Sequence, residues 1–311
     1  MADTNETFWH DFILLGFPRE QILYSLLIAL IYTMTVLGNL TVFSIIQADS
    51  RLQSPMYFFL ACLSFLDVCY SSVTLPAMLA NAITGNRKIS FQRCLTQLYF
   101  FVCFGGTECL LLAVMAYDRY VAICNPLHYT TTMKPEICLY LVAGCWLCGL
   151  VNATFHTLMT WKRTFCGTRH ISHYFCDVLP LLQAACSDIH DSQVVLHVVT
   201  FFLGMVPFML IANSYIRIIC TILKIHSTAG RQKVFSTCSS HLIVVTVFYV
   251  TGIFNYNGPH SGDFLIIVRV SSLLFGVVPP LLNPIIYCLR NNEVKRALKD
   301  VIIKLYILLK G

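Results

Sequence analysis

The chain has 311 residues, of which 57% are hydrophobic and only 12% are charged. A soluble domain carries about 25% charged residues, so this composition predicts a membrane protein rather than a large soluble domain. The net charge of +6 is modest and argues against nucleic acid as a partner. The sequence contains no low-complexity tract, linker or internal repeat, so we expect a single domain over 1–311.

Long charge-free stretches divide the chain. Residues 21–48 contain no Asp, Glu, Lys or Arg, and similar stretches recur later. Each holds the about 20 apolar residues that cross a bilayer as a helix. Two more apolar stretches are each interrupted by one acid, Asp67 or Glu108. These segments are too long for barrel strands, so we predict an all-α membrane protein, a bundle of seven transmembrane helices. The predicted spans are 22–48, 55–80, 94–124, 137–161, 192–223, 234–257 and 264–289.

The distribution of Lys and Arg between the loops predicts the orientation of the chain. Most of these residues fall on the side of the C-terminal tail, 290–311, and basic residues favour the cytoplasmic side. The N-terminal segment 1–21 is therefore predicted to be extracellular, and it lacks the basic region and apolar core of a cleavable signal peptide. In the tail, an apolar stripe predicts a short amphipathic helix lying on membrane lipid. Its members are Val294, Leu298, Val301, Ile302 and Leu305.

Two kinds of covalent modification are predicted on the outer side. Asn5 begins a sequon outside the predicted spans, whereas the sequons at Asn39 and Asn152 fall within spans, so only Asn5 is a candidate glycosylation site. Four of the fifteen cysteines also fall on this side, in a compartment that favours disulfides. Four cysteines predict two disulfides but allow three pairings. They are Cys94, Cys166, Cys176 and Cys186.

One face of span three changes character along its length. At helical steps of three and four it carries an outer cysteine, an aromatic ring, a glycine, a buried acid and an arginine. One interpretation is an ordinary packing face, with Gly105 and Gly106 allowing close helix contact. The other is a face that contacts ligand above and a switch below. Glu108 favours the second, because an acid inside a membrane is costly. The face comprises Cys94, Leu98, Phe101, Gly105, Glu108, Leu112, Met115 and Arg119.

The two mid-membrane acids, Asp67 and Glu108, need compensation for their charge. Two buried carboxylates cannot both ionise without a cation or a shared proton. The pair therefore indicates either a sodium ion held by oxygen ligands or a protonation site. The alternative is two separate acids, each hydrogen-bonded to Ser, Asn or water. We expect no other cofactor.

Spans six and seven carry polar residues that suggest a moving element. Pro284 removes a backbone donor and bends span seven. Asn283 and Tyr287 lie one turn apart and can face the bundle interior. In span six, five residues share one face, with Tyr256 beside them. A lever and a core helix with incidental polar groups both fit this spacing. The face comprises His241, Val245, Phe248, Gly252 and Asn255.

Several motifs together make the sequence similar to a known family. Asp118-Arg119-Tyr120 follows the core of span three, and Asn-Pro-x-x-Tyr occupies 283–287. With seven predicted spans, the chain resembles a rhodopsin-like G-protein-coupled receptor. More specifically, it resembles a vertebrate odorant receptor of the tetrapod-type class, nearly from end to end. The motifs are GN (38–39), SPMYFFL (54–60), MAYDRYVAICNPLHY (115–129), SY (214–215), KVFSTCSSHL (233–242) and PPLLNPIIYCLRN (279–291).

The resemblance implies roles for individual residues. Cys94 would pair with Cys176, which leaves Cys166 with Cys186. The two mid-membrane acids match positions placed around a sodium ion. The resemblance also implies a receptor rather than an enzyme, located in the plasma membrane of olfactory cilia. Further residues match a switch that couples to a heterotrimeric G protein of the stimulatory or olfactory type. They are Asp118, Arg119, Tyr120, Tyr215, His241, Asn283, Pro284 and Tyr287.

The helix faces and the resemblance together place a ligand pocket among the outer halves of spans three, five, six and seven. Phe101 stands where amine receptors of this superfamily carry an acid, so an amine ligand would lack its counter-ion. We therefore expect a small, mostly apolar, uncharged volatile whose one polar group is hydrogen-bonded by Asn255 or Tyr256. The candidate contacts are Phe101, Val102, Gly105, Gly106, Phe202, Val206, Gly252, Asn255 and Tyr256.

Other interpretations have less support. A receptor of the same class for a small lipid or metabolite is the nearest alternative. A transporter would be expected to show an inverted repeat, and an enzyme a cluster of His and acids at one depth; neither pattern is visible in the sequence. His170, His173 and Cys176 suggest copper or zinc, but a disulfide-bonded cysteine has no thiolate for a metal. Arg269 could meet an acidic ligand, although pairing with Asp263 or a lipid headgroup is the simpler interpretation.

Overall fold

Seven long helices dominate the computed structural model of the chain, and they confirm the predicted seven-helix bundle. Six of these helices are long and apolar enough in their described residues to cross a membrane, and the last contains the shorter apolar segment Val270–Ile286. The structure describes residues 11–15, 21–165, 170–224, 228–257, 264–290 and 292–310.

The helices follow the predicted order. Two short helices, α4 (Tyr129–Thr132) and α6 (Val178–Ala184), lie between long ones, and α10 (Asn292–Lys310) comes last. The long helices are α1 (Gln21–Ala48), α2 (Pro55–Thr84), α3 (Phe91–Cys124), α5 (Pro135–Trp161), α7 (His190–Leu223), α8 (Thr228–Asn257) and α9 (Phe264–Arg290).

Local signals carry α2 and α3 beyond the predicted spans. Pro55 occupies the first turn of α2, where its missing amide hydrogen costs no bond. Gly85 follows the same helix with a φ of 67°, a left-handed conformation that glycine adopts readily. α3 begins at Phe91 because the Ser90 side chain accepts a hydrogen bond from a first-turn amide.

α3 runs through the centre of the bundle and is the most buried of the membrane helices. It packs against α2, α5 and α7, while α1 packs on α2 and α8 on α9. A Cβ on Gly149 of α5 would collide with the Thr107 hydroxyl and lie 2.7 Å from the Cys103 carbonyl oxygen. This glycine therefore permits the close approach of α3 and α5.

The sequence does not predict the small sheet of the structure. β1 (Phe12–Leu14) pairs antiparallel with β2 (Lys88–Ile89) and parallel with β3 (His170–Ile171). Phe12 and Leu14 are buried in the core. Strands of two or three residues are too short to show the alternation by which a strand is recognised in a sequence.

A disulfide joins the first turn of α3 to the segment before α6. Cys94 and Cys176 form this bond, as the resemblance implies, with their Cα atoms 5.4 Å apart. Gln97 adds a second connection, because its amide nitrogen donates to a carbonyl of α2 and its Oε1 accepts from Cys176 N, each at 3.0 Å. We call this part of the molecule the disulfide end. Cys186 is also disulfide-bonded, and its predicted partner, Cys166, lies outside the described residues.

α10 lies against α1 and α9 at the opposite end of the bundle. Its apolar stripe is seated on the bundle through Val294, which is fully buried, and Leu298, which packs on the core. Val301 is exposed, and the side chains of Ile302 and Leu305 lie outside the described part of the chain. The predicted amphipathic helix after span seven is therefore present.

Candidate functional site

A cavity of about 330 Å³ lies between α3, α5, α7, α8 and α9, toward the disulfide end. Its surface is mainly apolar, and the described residues that line it include no Asp, Glu, Lys or Arg. The lining residues are Phe101, Val102, Gly105, Gly106, Cys109, Asn152, His156, Leu196, Val199, Thr200, Phe201, Leu203, Gly204, Met205, Phe208, Phe248, Tyr249, Gly252, Ile253, Tyr256 and Phe275.

Most of the predicted ligand contacts lie at this cavity. Of those on α3, Phe101 and Gly105 belong to the helix face that joins Cys94 to Arg119, and the described members of that face are all buried. The exceptions are Phe202, Val206 and Asn255, which do not line it. The predicted contacts that do line it are Phe101, Val102, Gly105, Gly106, Gly252 and Tyr256.

The structure corrects the face of α7 that the sequence analysis assigns to the pocket. Phe202 and Val206 are 60% and 51% exposed and point away from the bundle. The cavity side of α7 carries Val199, Thr200 and Leu203 instead. The lipid-facing side of a transmembrane helix is as apolar as a side that lines an apolar cavity, so hydrophobicity alone does not distinguish the two.

Asn255 is hydrogen-bonded to the loop before α6 and does not line the cavity. Its amide nitrogen donates to Asp177 Oδ2 at 3.2 Å, and Asp177 Oδ1 accepts from Val178 N at 2.7 Å at the start of α6. Tyr256 is hydrogen-bonded to the same carboxylate. Burial raises the pKa of Asp177 to about 6, although the hydrogen bonds from Asn255, Val178 and Tyr256 lower it in part. This cluster fixes the loop over α8.

Aromatic rings packed at tilted angles form and support the wall of the cavity nearest the disulfide. The Phe101 ring centroid lies 4.7 Å from that of Phe175 and 5.2 Å from that of Tyr70. Phe275 lies 4.9 Å from Phe248 across α8 and α9. A Cβ on Gly276 would come within 3.2 Å of the Phe101 ring, so this glycine allows the ring to pack closely against α9. The loop residue Phe175 thus sits directly on the predicted ligand contact Phe101.

Sequence reasoning missed the polar residues that α5 contributes to the cavity. Asn152 and His156 both line it. His156 is 4% exposed, and the Oδ1 atom of Asn152 is buried without a hydrogen-bond partner in the described part of the chain. Two polar residues four apart in a charge-free span are the signal that could have identified them, because that spacing places both on one helix face.

Two other polar groups of the wall, Cys109 and Tyr249, bond to each other. Cys109 Sγ lies 3.1 Å from Tyr249 Oη and 3.2 Å from the Leu203 carbonyl oxygen, to which it donates. These contacts link α3, α7 and α8 across the cavity floor. Tyr249 and Cys109 therefore both have hydrogen-bond partners within the protein.

The two mid-membrane acids are completely buried. Asn283 donates to Asp67 Oδ2 at 2.8 Å, while Asp67 Oδ1 has no hydrogen-bond partner among the described residues. Neither oxygen of Glu108 has one either. The Asn283 Oδ1 atom is likewise buried and without a partner in that part of the chain. Four oxygen atoms with unused acceptor capacity therefore converge on the middle of the bundle from α2, α3 and α9.

The predicted switch residues lie at the end opposite the disulfide. Tyr215 Oη is 2.8 Å from His241 Nδ1, which joins α7 to α8. Arg119 is buried beside His241. Asp118 Oδ1 accepts a hydrogen bond from Tyr129 Oη at 2.8 Å. The structure thus brings Arg119, Tyr215 and His241 together and gives Asp118 a partner on α4.

The remaining predicted switch residues are placed as follows. The guanidinium carbon of Arg217 lies 5.9 Å from the centre of the Tyr120 ring. Pro284 packs against Gly38, where a Cβ would come within 3.0 Å of the proline ring. The side chain of Tyr287 and all of Asn5 lie outside the described part of the chain.

The residues considered for a metal do not form a cluster. Among the described residues, no group of three or more His, Cys, Asp or Glu side chains could hold a metal ion. Cys176 is in a disulfide, and His173 Nδ1 lies 3.0 Å from the Phe175 carbonyl oxygen. Cys176 therefore has no free thiolate to offer a metal.

The seven-helix bundle has a cavity near one end and a buried cluster of Arg119, Tyr215 and His241 near the other. These features are those of a membrane receptor of the G-protein-coupled class. The model of the olfactory receptor family matches residues 28–305. The chain is 46% identical to olfactory receptor 1f45 of rat over 97% of both chains, and 46% identical to human olfactory receptor 1C1 over 98% of both. Human olfactory receptor 1F1 is also 46% identical, over 97% of this chain and 98% of the relative. This chain belongs to the olfactory receptor family.

Proposed function

We propose that this chain is an odorant receptor that binds a small, mostly apolar, uncharged volatile in the cavity between α3, α5, α7, α8 and α9. The apolar cavity carries the proposal. An ionic ligand would lose its hydration there without a charged side chain among the described lining residues to compensate it. Phe101 at the cavity wall also offers an amine no counter-ion.

In the orientation that we propose, the disulfide end lies outside the cell. Disulfides form in oxidising compartments, which supports an external position for the loop that carries Cys176. The N-terminal segment 1–21, with a glycan at Asn5, would then be extracellular and the tail 290–311 cytoplasmic. The chain would form one receptor domain over 1–311 in the plasma membrane of olfactory cilia, with α10 against membrane lipid.

Ligand binding would activate a stimulatory heterotrimeric G protein through a shift between two arrangements of the bundle. α3 connects the two regions physically, since Phe101 lies at the cavity and Arg119 lies beside the Tyr215–His241 pair. A ligand that contacts α3 and α8 more closely in one arrangement favours that arrangement. The cytoplasmic end of α8 would then move and open a crevice for the G protein.

The buried acids would hold a sodium ion or share a proton. The residues fit a hard cation, because Asp67, Glu108 and Asn283 present oxygen atoms that have no hydrogen-bond partner among the described residues. A bound cation would supply the positive charge that both carboxylates need in order to ionise. A single proton on either acid would remove one of the two negative charges.

A panel of odorants on transfected cells tests the function. Neutral alcohols, ketones and aldehydes of matched carbon skeleton should raise cAMP, and the corresponding carboxylates should be weaker agonists. Stronger responses to carboxylates than to alcohols would contradict the neutral-ligand proposal. An odorant response without a rise in cAMP would contradict the stimulatory coupling.

Arg119→Ala should abolish the cAMP response while leaving surface expression mostly intact. Arg119 lies far from the cavity but beside the Tyr215–His241 pair, so its loss should affect coupling rather than ligand binding. Surface staining of the tagged receptor and cAMP in the same cells measure both quantities. Full signalling by the variant would count against this mechanism.

The alternative is a receptor of the same class for a small lipid or metabolite. The apolar lining would also suit such a ligand. Including short-chain lipids and hydroxylated metabolites in the panel separates the two functions, because the odorant proposal expects the volatile compounds to be the more potent agonists.

A further inference from the structure

Asn152 and His156 are two polar residues of the cavity wall whose side chains have no hydrogen-bond partner among the described residues. Both line the cavity from α5, on one face of the helix. The Asn152 Oδ1 atom is buried and accepts no hydrogen bond from the described residues. His156 is only 4% exposed to solvent. Its side chain has no hydrogen bond to any described residue. Buried polar groups normally have a partner, so their unused capacity indicates a missing one.

The polar groups that α3 and α8 contribute to the opposite walls are already occupied. Tyr256 is hydrogen-bonded to Asp177, and Asn255 donates to the same carboxylate. Tyr249 and Cys109 lie 3.1 Å apart and bond to each other. A ligand that used any of these groups would have to break an existing hydrogen bond. The groups on α5 require no such exchange.

We propose that Asn152 and His156 bind the hydroxyl group of the ligand, which makes small apolar alcohols and phenols the preferred class. This inference rests on the proposed odorant function. A neutral imidazole offers one N–H donor and one acceptor nitrogen, and the amide Oδ1 is an acceptor. A hydroxyl group donates and accepts, so it satisfies both residues. Aldehydes, ketones and ethers only accept, and would leave Oδ1 unpaired in an apolar site.

The space beside Asn152 is suited to a small polar group. Gly106 lines the cavity opposite, and a Cβ placed there would lie 3.6 Å from the Asn152 amide nitrogen. The absence of a side chain at Gly106 leaves the amide accessible from the cavity. The rest of the wall is apolar and would bury the hydrocarbon part of the ligand.

Matched ligand series test the assignment. Hexyl, octyl and benzyl skeletons are each presented as the alcohol, the aldehyde and the methyl ether. Potency is measured as cAMP in cells, and binding as the thermal stabilisation of the purified, detergent-solubilised receptor. For at least one skeleton, we expect the potency of the alcohol, and its affinity derived from the thermal stabilisation, to exceed those of the ether about fivefold to tenfold. This is the effect of one or two net hydrogen bonds.

The variants Asn152→Leu and His156→Phe keep the approximate shape of each side chain but remove the polar atoms. In either variant the alcohol-to-ether ratio should fall toward one, while the ether keeps its affinity. Thr157→Val is the matched control, because Thr157 Oγ1 is also buried without a partner in the described part of the chain but does not line the cavity. Its ratio should equal that of the wild type.

The outcomes separate this inference from the proposed function. Stabilisation by alcohols without a cAMP rise supports the hydroxyl site and counts against the coupling. Equal responses to alcohols and ethers support an odorant receptor but overturn the hydroxyl site. An unchanged ratio in both α5 variants, or no stabilisation by any alcohol, also overturns it. A variant absent from the cell surface does not affect the ligand series on the wild type, in which equal potency of alcohols and ethers would still overturn the hydroxyl site.

Discussion

Buried acids at two places in this bundle differ in how many hydrogen bonds the protein itself provides to them. At the disulfide end, both oxygens of Asp177 accept hydrogen bonds, from Val178 N and from Asn255. In the middle of the bundle, Glu108 has no hydrogen-bond partner on either oxygen among the described residues, and Asp67 has one on a single oxygen. The first group is complete within the protein. The second leaves acceptor atoms unused.

The difference indicates different roles. A buried carboxylate that is fully hydrogen-bonded fixes the elements that supply its donors, so Asp177 holds the loop against α8. Buried acceptors without donors cost free energy unless something else binds them. This difference supports the proposal that the Asp67–Glu108 pair binds an ion or a proton. Substitutions at the two groups should have correspondingly different effects.

The largest expected effect is the loss of the Asp177 cluster. Asp177→Ala would leave the Asn255 amide and the Tyr256 hydroxyl buried without their acceptor and would remove the cap of α6. We expect the free energy of unfolding to fall by about 2–3 kcal/mol, the cost of unsatisfied buried groups. Thermal unfolding of the purified receptor and surface staining would measure it.

Asp177→Asn is the matched variant, because its amide oxygen can still accept one of these hydrogen bonds. It should lose less stability than Asp177→Ala. Equal losses in the two variants would show that the carboxylate fills space but does not hold the loop through hydrogen bonds.

The pH dependence of stability follows from the same carboxyl group. Its pKa in the folded protein is about 6, above the ordinary value of 3.8, because burial disfavours the charged form. Between these values the folded state binds a proton that the unfolded state does not, so stability increases as the pH falls from 7 toward 4 and is lost as the pH rises through 6. The neighbouring phenols of Tyr70 and Tyr256 do not ionise in this range.

The comparison variant for the pH effect is again Asp177→Asn. The melting temperature of the wild type should rise between pH 7.5 and pH 5, and that of the variant should change less over the same range. Parallel pH profiles for both proteins would assign the dependence to another group.

The sequence predicted the bundle well because long apolar runs between charged residues have few other structures available. The buried face of α3, from Cys94 to Arg119, also follows from helical periodicity alone. The amphipathic helix after the last span was recognisable for the same reason. These features depend on patterns that extend over many residues.

The sequence predicted the cavity less completely because its lining depends on which way each helix is turned. Phe202 and Val206 are apolar, as the cavity residues Val199 and Leu203 are, and only the packing of α7 distinguishes them. Asn255 was assigned to the ligand, but the loop residue Asp177 takes its hydrogen bond. Contacts between residues distant in sequence are not contained in the pattern of one helix.

The smallest expected effect is at the mid-membrane acids. Glu108→Gln removes one of the two buried acids while keeping the shape of the side chain. In the absence of sodium the two acids do not both ionise, so the free energy of unfolding should change by less than about 1 kcal/mol. The melting temperature of the wild type should be higher in sodium chloride than in choline chloride, because an ion bound to the folded state stabilises it. In the variant this difference should shrink.

Thr74→Val is a suitable control, since Thr74 Oγ1 is a buried oxygen on α2 without a described partner but carries no charge. The sodium response of this variant should match that of the wild type. A full sodium response in Glu108→Gln would argue against the ion and leave the shared proton, because an oxygen site that has lost one of its two carboxylates should bind a cation more weakly.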